Sequence, residues 1–371
     1  MIRVKDFINR LDSFGFSPFL MVPCSIFKPL NTWLINRQRE VVFPPNEAHA
    51  MGFAVGSYCV TGKPAVVFLQ NSGLNNIANA HTSLHYLYQI PVLLVVSWRG
   101  QPGRKDAPEH KLMGKITKKF LKALEIPAVI LSSNSSKWKV ELNSIASLIN
   151  KEKKPAAVII REGTFSPGKD LIDENSKYPL SRFEAIKIIK QNLKNKAVFI
   201  STNGFISRDS FAVLPSPDFY MMGSMGHAFS IGAGTAWGLS GKNSDLKVVI
   251  LDGDGSCLMH LGSLALVGLE KIKKSNLIYL VLDNEAYEST GSQPSLSPEI
   301  NFIKIAEGLG FPQVFSVKKA SDLKKVIKNL KPRIAAFIHI KINRQKTETA
   351  ARVSDKYTCE QITKRFRRNF R

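Results

Sequence analysis

Short apolar runs alternate with helix-length segments along this whole chain, and this alternation restricts the possible folds more than any other feature. The runs typical of buried strands are FLMV, VVF, AVVFL, PVLLVV, AVIL and AAVII, followed by AVFIS, KVVIL, LIYLVL, QVFSV and AAFIHI. Strands that alternate with helices form parallel sheets covered by helices. The 371 residues are enough for two hydrophobic cores. We therefore expect an α/β protein with two parallel sheets of similar size.

The strand pattern is interrupted once, by the polar stretch EGTFSPGKDLIDENSKYP at residues 162–179. We expect a first domain over residues 1–165, a linker over residues 166–180 and a second domain over residues 181–371. Parallel sheets bind ligands at the carboxyl ends of their strands. Both halves place their unusual residues in loops that follow strands, so each half is expected to contribute to function.

Composition and the amino-terminal pattern indicate a cytoplasmic protein without a membrane partner. The longest apolar run, IPVLLVVSW at residues 90–98, is too short to span a bilayer. The segment MIRVKDFINRLDSFGF alternates charged and apolar residues and lacks the apolar core of a signal peptide. The cysteines show no CxxC spacing, which argues against a zinc site or a disulfide framework and favours a reducing compartment.

The net charge of +23 raises the question of an anionic partner. The charge is concentrated in KEKK (151–154), KIKK (271–274), residues 318–333 and the tail KRFRRNFR (364–371). None of these segments combines with aromatic residues in a recognisable RNA-binding pattern. We interpret these basic segments as solvent-exposed helix faces whose positive charge attracts a small anionic substrate. A nucleic-acid-binding protein on an inactive enzyme fold stays as a remote alternative.

The segment LDGDGSCLMHL (251–261) follows the strand KVVIL and places Asp254 between two glycines. A helix to about residue 271 and the strand NLIYLVLD follow, and the chain then reaches Asn284. The ends of two parallel strands lie at the same edge of a sheet, so Asp254 and Asn284 are expected to be neighbours. Carboxylate and amide oxygens suit Mg²⁺, which fills its remaining positions with phosphate oxygens and water.

A GDG that follows a strand, with DNEAYESTGSQ one crossover later, resembles the thiamine-diphosphate-binding signature. The resemblance implies thiamine diphosphate and Mg²⁺ as cofactors, with Asp254, Asn284 and the backbone carbonyl of Ala286 as metal ligands. The other cofactor-binding residues expected in these two segments are Gly253, Gly255, Ser256 and Tyr287.

The glycine-rich stretch YMMGSMGHAFSIGAGTAWG (220–238) fits a ligand loop that leads into a closely packed helix. For Gly232 to Gly238 we prefer helix packing as the explanation. For Gly223, Ser224, Met225 and Gly226 we prefer cofactor binding. In thiamine enzymes the matching loop supplies a backbone carbonyl, here that of Gly223, and an apolar wedge, here Met225.

Glu47 follows a strand and begins an Ala/Gly-rich helix, where the helix dipole favours a carboxylate. In isolation this residue would be interpreted as a helix cap. Because the second half carries the GDG and Asn284 pattern, we interpret Glu47 as the catalytic residue that activates the cofactor. Such a glutamate, in an apolar pocket, is expected to have a raised pKa.

Four first-half segments, VPCSIFKPL, NEAHAMGFAVG, TGKPAVVFLQNSGLNN and SWRGQPGRKDAPEHKLMG, resemble the phosphonopyruvate decarboxylase family. The two-subunit sulfopyruvate decarboxylases are similar, and the resemblance extends to about residue 345. It implies two thiamine-diphosphate-binding domains without a middle domain. It also implies nonoxidative decarboxylation of 3-phosphonopyruvate, and a homodimer or homotetramer with active sites between subunits.

A substrate with an anionic tail requires cations and N–H donors. The substrate-binding candidates are Ser25, Lys28, Asn71, Ser72, Arg99 and His110, with Arg104 and Lys105 as weaker ones. His81 and His85 lie four positions apart on a helix, but without a third ligand we interpret them as packing or surface residues.

Three positions depart from the family pattern. Cys24 replaces the aspartate of an expected VPDS, Ser292 replaces the second glycine of an expected TGGQ, and Asn203 replaces the middle threonine of a TTG-like loop. These changes leave sulfopyruvate, or another 2-keto acid in a decarboxylase or carboligase reaction, open as alternatives.

Overall fold

The computed structural model describes residues 1–36, 41–134, 136–167, 177–194, 196–240, 245–344 and 350–370. The chain divides into two compact units. The first unit contains Met1–Ile172 and Tyr287–Gln293, and the second contains Asp173–Ala286 and Pro294–Arg371. Most of the expected linker, residues 168–176, lies outside the described residues.

The first unit is built on a parallel six-stranded sheet with strand order β2-β1-β3-β4-β6-β5. Its strands are β1 (Phe19–Met21), β2 (Val41–Val42), β3 (Ala65–Gln70), β4 (Val92–Ser97), β5 (Ala128–Ile130) and β6 (Ala156–Ile160). Its helices are α1 (Val4–Ser13), α2 (Lys28–Asn36), α3 (Glu47–Thr61), α4 (Leu74–Ala80), α5 (Lys111–Ala123) and α6 (Lys137–Glu152). Successive residues of the central strands enter two separate hydrophobic cores, as expected for a sheet that helices cover on both faces.

The second unit has the same architecture, with strand order β13-β14-β10-β9-β7-β8. Its sheet strands are β7 (Ala197–Ser201), β8 (Phe219–Tyr220), β9 (Lys247–Gly253), β10 (Leu277–Asp283), β13 (Gln313–Val317) and β14 (Ala336–Lys341), while β11 (Ala286–Tyr287) and β12 (Gln293–Pro294) form a separate two-stranded ladder. Its helices are α7 (Arg182–Leu193), α8 (Phe205–Val213), α9 (Ala228–Leu239), α10 (Asp254–Met259), α11 (Glu270–Lys273), α12 (Phe302–Gly308), α13 (Ala320–Asn329) and α14 (Cys359–Arg367). Two parallel sheets flanked by helices confirm the predicted fold class, and every predicted strand is present.

The prediction of one continuous helix after β9 was wrong. The segment is not a single helix to about residue 271, because α10 ends at Met259 and Leu261–Gly268 forms 3₁₀ turns before α11 begins. The break lies at His260, whose backbone leaves the helical region with φ −135° and ψ 48°. Gly262 and Gly268 weaken the helix in the following segment.

Buried ion pairs join α7 to the α8–β8 region of the second unit. Lys190 is fully buried, and its Nζ lies 2.6 Å from Oδ2 of Asp218. The same ammonium group donates to the carbonyl oxygens of Ser210 and Leu214 at 2.9 and 2.7 Å. This set of acceptors satisfies a charge that would otherwise be costly to bury.

The basic segments lie mainly on solvent-facing helix surfaces. In α13, Leu323 and Ile327 are buried, whereas Lys324, Lys325 and Lys328 are exposed. In α14, Ile362 and Phe366 are buried, and the ring of Phe366 packs at 5.5 Å on that of Phe219. The positive charge of these helices therefore lies opposite their packed faces.

Among the described residues, the structure contains no helix with the length and hydrophobicity that a membrane crossing requires.

Candidate active site

The carboxyl ends of β9 and β10 bring Asp254 and Asn284 to one edge of the second sheet. The two strands are parallel neighbours, and their register pairs Gly253 with Leu282. Asp254 is the first residue of α10, and Asn284 follows β10 directly. Both side chains are buried. The crossover predicted from the GDG pattern therefore places a carboxylate and an amide oxygen at the same edge.

The carboxylate of Asp254 is enclosed by the protein. Its Oδ2 accepts a hydrogen bond from the hydroxyl of Ser295. Burial raises the pKa of Asp254 to about 8, and the charge of Asp283 adds to this effect. A carboxylate in this environment favours a proton or a metal cation as its partner.

The oxygen donors available at this edge suit a hard divalent cation. Oδ1 of Asn284 lies 3.1 Å from the amide nitrogen of Ala286, so the amide side chain folds over the following turn. Among the described residues there is no cluster of three or more His, Cys, Asp and Glu side chains that could hold a metal. A cation at this edge could take one carboxylate oxygen and one amide oxygen from the protein, with its other positions filled by ligand or water oxygens.

Ser256 joins the glycine-rich loop to the start of α10. Its hydroxyl accepts a hydrogen bond from the amide of Gly226 at 3.0 Å and lies 3.0 Å from the hydroxyl of Thr202. Gly226 has φ of 90°, and a Cβ there would lie 2.4 Å from Cδ2 of His260. Glycine is therefore required at this position. These contacts bring the segments 223–226 and 253–256 together.

Two family departures lie in turns of unusual backbone geometry. Ser292 has φ of 59°, a region that favours glycine, which explains why a glycine is expected there. Its amide donates to the carbonyl of Tyr287 at 3.1 Å. Asn203 directly precedes Gly204, which caps α8 with φ of 86°.

Glu47 begins α3 and is buried in the first unit. The preceding residue, Asn46, caps the helix by accepting a hydrogen bond from the amide of His49 at 3.0 Å. Glu47 is therefore not the cap that its position alone would suggest. Burial raises its pKa, although a hydrogen bond from Asn76 acts in the opposite direction.

Asn76 and Gly73 complete the surroundings of Glu47. Nδ2 of Asn76 donates to Oε2 of Glu47 at 2.7 Å. A Cβ at Gly73 would lie 2.3 Å from Oε1 of Glu47, so only glycine fits. The sequence analysis missed both roles. The signal was the segment NSGLNN, but its letters do not show which asparagine faces the glutamate.

Arg99 is held in a fixed position after β4. Its Nε and Nη2 donate to the Asp106 carboxylate at 2.8 and 2.5 Å, and its Nη1 donates to the hydroxyl of Ser25 at 2.8 Å. Burial alone would raise the pKa of Asp106, but the guanidinium and two backbone amides, those of Gly100 and Ala107, hold it well below its usual range. Within the described residues, these contacts leave some guanidinium N–H donors for another acceptor.

The side chain of Asn71 holds the backbone of Arg99 in place through hydrogen bonds. Its Nδ2 donates to the carbonyl of Arg99 at 2.8 Å and to the hydroxyl of Thr117 at 2.9 Å, while its Oδ1 accepts from the Arg99 amide at 3.2 Å. Its amide hydrogens are therefore engaged within the loop. The neighbouring Ser72 accepts a hydrogen bond from Gln70 at 2.6 Å.

Cys24 is part of the same cluster as Gln70. Its thiol donates to Oε1 of Gln70 at 3.4 Å and accepts from the hydroxyl of Ser97 at 3.0 Å. Burial raises the pKa of this thiol, so at neutral pH the position is uncharged. An aspartate at position 24 would place a negative charge next to Ser25, whose hydroxyl accepts a hydrogen bond from Arg99.

The remaining candidates differ in their placement. Lys28 begins α2, and a Cβ at Gly291 would lie 3.3 Å from its Cγ. Nε2 of His110 lies 3.7 Å from the Glu109 carboxylate. Arg104 and Lys105 are exposed. The structure therefore places Lys28 beside the turn of residues 287–293, while Arg104 and Lys105 face solvent.

His81 and His85 form packing contacts in the π-helical segment His81–Tyr86. Nε2 of His81 lies 2.8 Å from the carbonyl of Leu124. The ring nitrogens of His85 lie 2.8 and 3.1 Å from the carbonyls of Ile90 and Met51. Both rings serve the packing of the first unit, as expected.

Two family models match the chain. Residues 4–121 match the thiamine pyrophosphate enzyme N-terminal TPP binding domain, and residues 207–340 match the thiamine pyrophosphate enzyme C-terminal TPP binding domain. The matched regions contain Glu47 in the first unit and Asp254 and Asn284 in the second.

Relatives that match most of the chain include two phosphonopyruvate decarboxylases and a sulfopyruvate decarboxylase. A phosphonopyruvate decarboxylase of Streptomyces hygroscopicus is 30% identical over 342 residues, which cover 87% of this chain and 83% of that protein. A phosphonopyruvate decarboxylase of Streptomyces viridochromogenes is 28% identical over 385 residues, covering 99% and 94%. A sulfopyruvate decarboxylase of Methanosarcina acetivorans is 26% identical over 370 residues, covering 93% and 92%.

Replacing Glu47 with glutamine is expected to raise the melting temperature of the ligand-free protein at pH 8. Because the folded pKa of Glu47 is raised, the folded wild type loses stability relative to the unfolded chain as pH increases from the ordinary pKa through the folded one. Glutamine removes this cost and keeps an oxygen for Asn76. Thermal unfolding of both proteins between pH 4 and pH 8 measures the effect. The difference in melting temperature between the variant and the wild type should shrink towards pH 4. A variant with a lower melting temperature than the wild type at pH 8 would contradict the raised pKa of Glu47.

Proposed function

Because the chain belongs to the thiamine-diphosphate-dependent decarboxylase family that includes the phosphonopyruvate decarboxylases, we propose that it converts 3-phosphonopyruvate to phosphonoacetaldehyde and CO₂ without oxidation. The choice of phosphonopyruvate as the substrate rests on the guanidinium group of Arg99, which Asp106 and Ser25 hold in a fixed position in the first unit. An arginine held in this way can bind two oxygens of a phosphonate. The names of the two Streptomyces relatives support the same substrate.

We assign the diphosphate end of the cofactor to the second unit. Asp254, Asn284 and the carbonyl of Ala286 would hold Mg²⁺, and the bound cation would supply positive charge for the diphosphate. Gly253, Gly255 and Ser256 would allow the diphosphate to approach the backbone and the amino end of α10. Tyr287 begins the turn of residues 287–293, where it would border the same ligand. Support comes from the burial of Asp254 and from the oxygen donors at this edge.

The pyrimidine end would contact the loop of residues 223–226. The carbonyl of Gly223 would accept a hydrogen bond from the aminopyrimidine, and Met225 would provide an apolar contact to the cofactor, with Ser224 and Gly226 shaping the loop. Ser224 and Gly226 have φ of 56° and 90°, so the loop has a tightly defined backbone. The hydrogen bond between Gly226 and Ser256 fixes it to α10.

Thiamine diphosphate, when bound, supplies a nucleophilic carbon and an electron sink for the bond to the departing CO₂. Glu47 would hold a proton at its carboxyl group and exchange it with the pyrimidine ring, because its buried side chain favours the protonated form. Asn76 and Gly73 fix the orientation of that carboxyl group. Arg99, Ser25, Lys28, Ser72 and His110 would bind the anionic substrate, while Asn71 positions Arg99.

We propose that the enzyme works as a homodimer or homotetramer in the cytoplasm. Support for self-association comes from exposed apolar residues on α3 and just after the π-helical segment, namely Phe53, Val60, Leu87 and Tyr88. All four cysteines are free, as is usual in a reducing compartment. The basic helices would attract the anionic substrate, and no RNA-binding pattern supports a nucleic-acid partner.

Sulfopyruvate decarboxylation is the second candidate. One observation favours it, namely the similarity to the Methanosarcina acetivorans protein over nearly the whole chain. A sulfonate carries less charge than a doubly ionised phosphonate, so the number of charges in the pocket should distinguish the two substrates.

Release of CO₂ from purified protein tests the proposed function. With thiamine diphosphate and Mg²⁺ present, kcat/KM is expected to be highest for phosphonopyruvate, lower for sulfopyruvate and lowest for pyruvate. The Glu47→Gln variant serves as the control for spontaneous decarboxylation. If sulfopyruvate gives the highest value, the second candidate replaces the first. If pyruvate gives the highest value, neither phosphonopyruvate nor sulfopyruvate is the substrate.

Arg99→Ala is expected to raise KM for phosphonopyruvate and to leave weak pyruvate turnover almost unchanged. Loss of one partner from a buried charge pair costs about 2–5 kcal/mol, which should appear in kcat/KM for the phosphonate substrate alone. Arg104→Ala is the matched control, because this arginine lies on the same loop but is exposed.

An equal loss on both substrates would contradict the role of Arg99 in binding the phosphonate. Its contacts with Asp106 and Ser25 would then serve only to shape the loop. The comparison therefore separates binding of the anionic tail from support of the loop backbone.

A further inference from the structure

The two residues on either side of Asn284 are both acidic, and one lysine contacts them both. Nζ of Lys341, the last residue of β14, lies 2.8 Å from Oδ2 of Asp283 and 2.8 Å from Oε1 of Glu285. Asp283 is fully buried, and Glu285 and Lys341 are largely buried. An ammonium group therefore bridges the two ends of the turn that carries the proposed metal ligand.

Further contacts fix the same turn. Arg344 donates from Nε to the carbonyl of Asn284 at 2.8 Å and from Nη2 to the carbonyl of Glu285 at 3.2 Å. The hydroxyl of Tyr178 donates to Oε1 of Glu285 at 3.2 Å. Side chains from two separate segments thus hold both the backbone and the carboxylates of this turn.

On the other side of Asn284, Asp283 has partners of its own. Nε2 of His339 lies 2.7 Å from its Oδ2, the hydroxyl of Ser297 donates to the same oxygen, and the amide of Glu285 donates to Oδ1 at 2.9 Å. Asp283 would therefore keep partners if Lys341 were removed, whereas Glu285 would lose its closest cation.

The backbone of Glu285 is in a conformation that glutamate rarely adopts. Its φ is 61°, in the left-handed region where a side chain costs of order 1 kcal/mol and glycine costs little. Strain of this kind persists only where the surrounding contacts impose it. Glu285 is held by the contacts with Lys341, Tyr178 and Arg344, and its carbonyl also accepts a hydrogen bond from the amide of Ser295 at 3.1 Å.

We propose that Lys341 and Glu285 are positioning residues for the metal site, which hold the Asn284 side chain and the Ala286 carbonyl in place for Mg²⁺. The proposal rests on the proposed function, because it assumes that Asn284 and Ala286 bind this cation. Without Lys341 the two carboxylates would lose their shared counterion and repel each other. The turn would then open, and the oxygens of residues 284 and 286 would separate.

The first test compares Lys341→Met with Lys190→Met. Binding of thiamine diphosphate is measured by isothermal titration at a series of Mg²⁺ concentrations, and the melting temperature is measured without ligands. Lys341→Met should raise the Mg²⁺ concentration for half-maximal binding at least tenfold.

Lys190→Met also removes a lysine from a buried ion pair in the same unit, but its contacts lie in the α7, α8 and β8 region. It should lower the melting temperature without changing the Mg²⁺ dependence. Equal Mg²⁺ dependence in the Lys341→Met variant and the wild type would overturn the role of Lys341.

Glu285→Gly provides a second test that remains informative if Lys341→Met does not fold. Glycine relieves the left-handed backbone, so the melting temperature should stay the same or rise, while the Mg²⁺ requirement should increase at least fivefold. Lys153→Gly is the matched control, because Lys153 has φ of 51° at the end of α6, and it should leave the Mg²⁺ requirement unchanged.

Different results would contradict the proposed function and the positioning role of Lys341 and Glu285. If wild type binds thiamine diphosphate with Mg²⁺ but Glu285→Gly has the same Mg²⁺ requirement, the positioning role is wrong and the proposed function stands. If wild type shows no Mg²⁺-dependent binding, the metal site itself is wrong, and the positioning role fails with it.

Discussion

The candidate site of the second unit depends on one buried carboxylate, that of Asp254, just after β9. Burying this group is unfavourable unless a proton or a cation compensates its charge, and its pKa is raised accordingly. The neighbouring strand brings Asn284 to the same edge. Ser256 and Ser295 connect the surrounding loops to α10 and to Asp254. The fold thus buries a carboxylate at a sheet edge, where the Mg²⁺ that we propose would compensate its charge.

In the first unit, burial likewise raises the pKa of a carboxyl group, that of Glu47, so this group favours a bound proton. Glu47 is buried at the start of α3, and its contacts with Asn76 and Gly73 leave it little freedom to reorient. A buried carboxyl group that favours its protonated form is suited to exchanging a proton with a bound ligand. Asp106, by contrast, receives a guanidinium and two backbone amides, so it stays ionised and fixes Arg99. Environment alone therefore gives these two carboxyl groups opposite behaviour.

The strands could be predicted from the sequence, because buried parallel strands leave continuous apolar runs. The placement of Asp254 and Asn284 at one sheet edge could be predicted as well, since it follows from the order of two of these strands. The two-residue strand β8 could not, since Phe219–Tyr220 is too short to form such a run. The helix predicted to about residue 271 was wrong because the backbone leaves the helical region at His260. The contacts of Asn76, Asp106 and Lys341 join residues far apart in the sequence or within irregular loops, where no periodicity reveals which side chains meet.

The central claim is that Asp254 anchors the diphosphate of thiamine diphosphate through Mg²⁺, and isothermal titration of the Asp254→Ala variant tests it most directly. Loss of the site's carboxylate ligand should abolish Mg²⁺-dependent binding of thiamine diphosphate, while the fold, followed by circular dichroism, stays intact. Glu47→Gln, measured in parallel, should keep its affinity within about tenfold, roughly 1.4 kcal/mol, because it leaves the metal ligands in place. Binding of wild-type affinity by a folded Asp254→Ala protein would contradict the account.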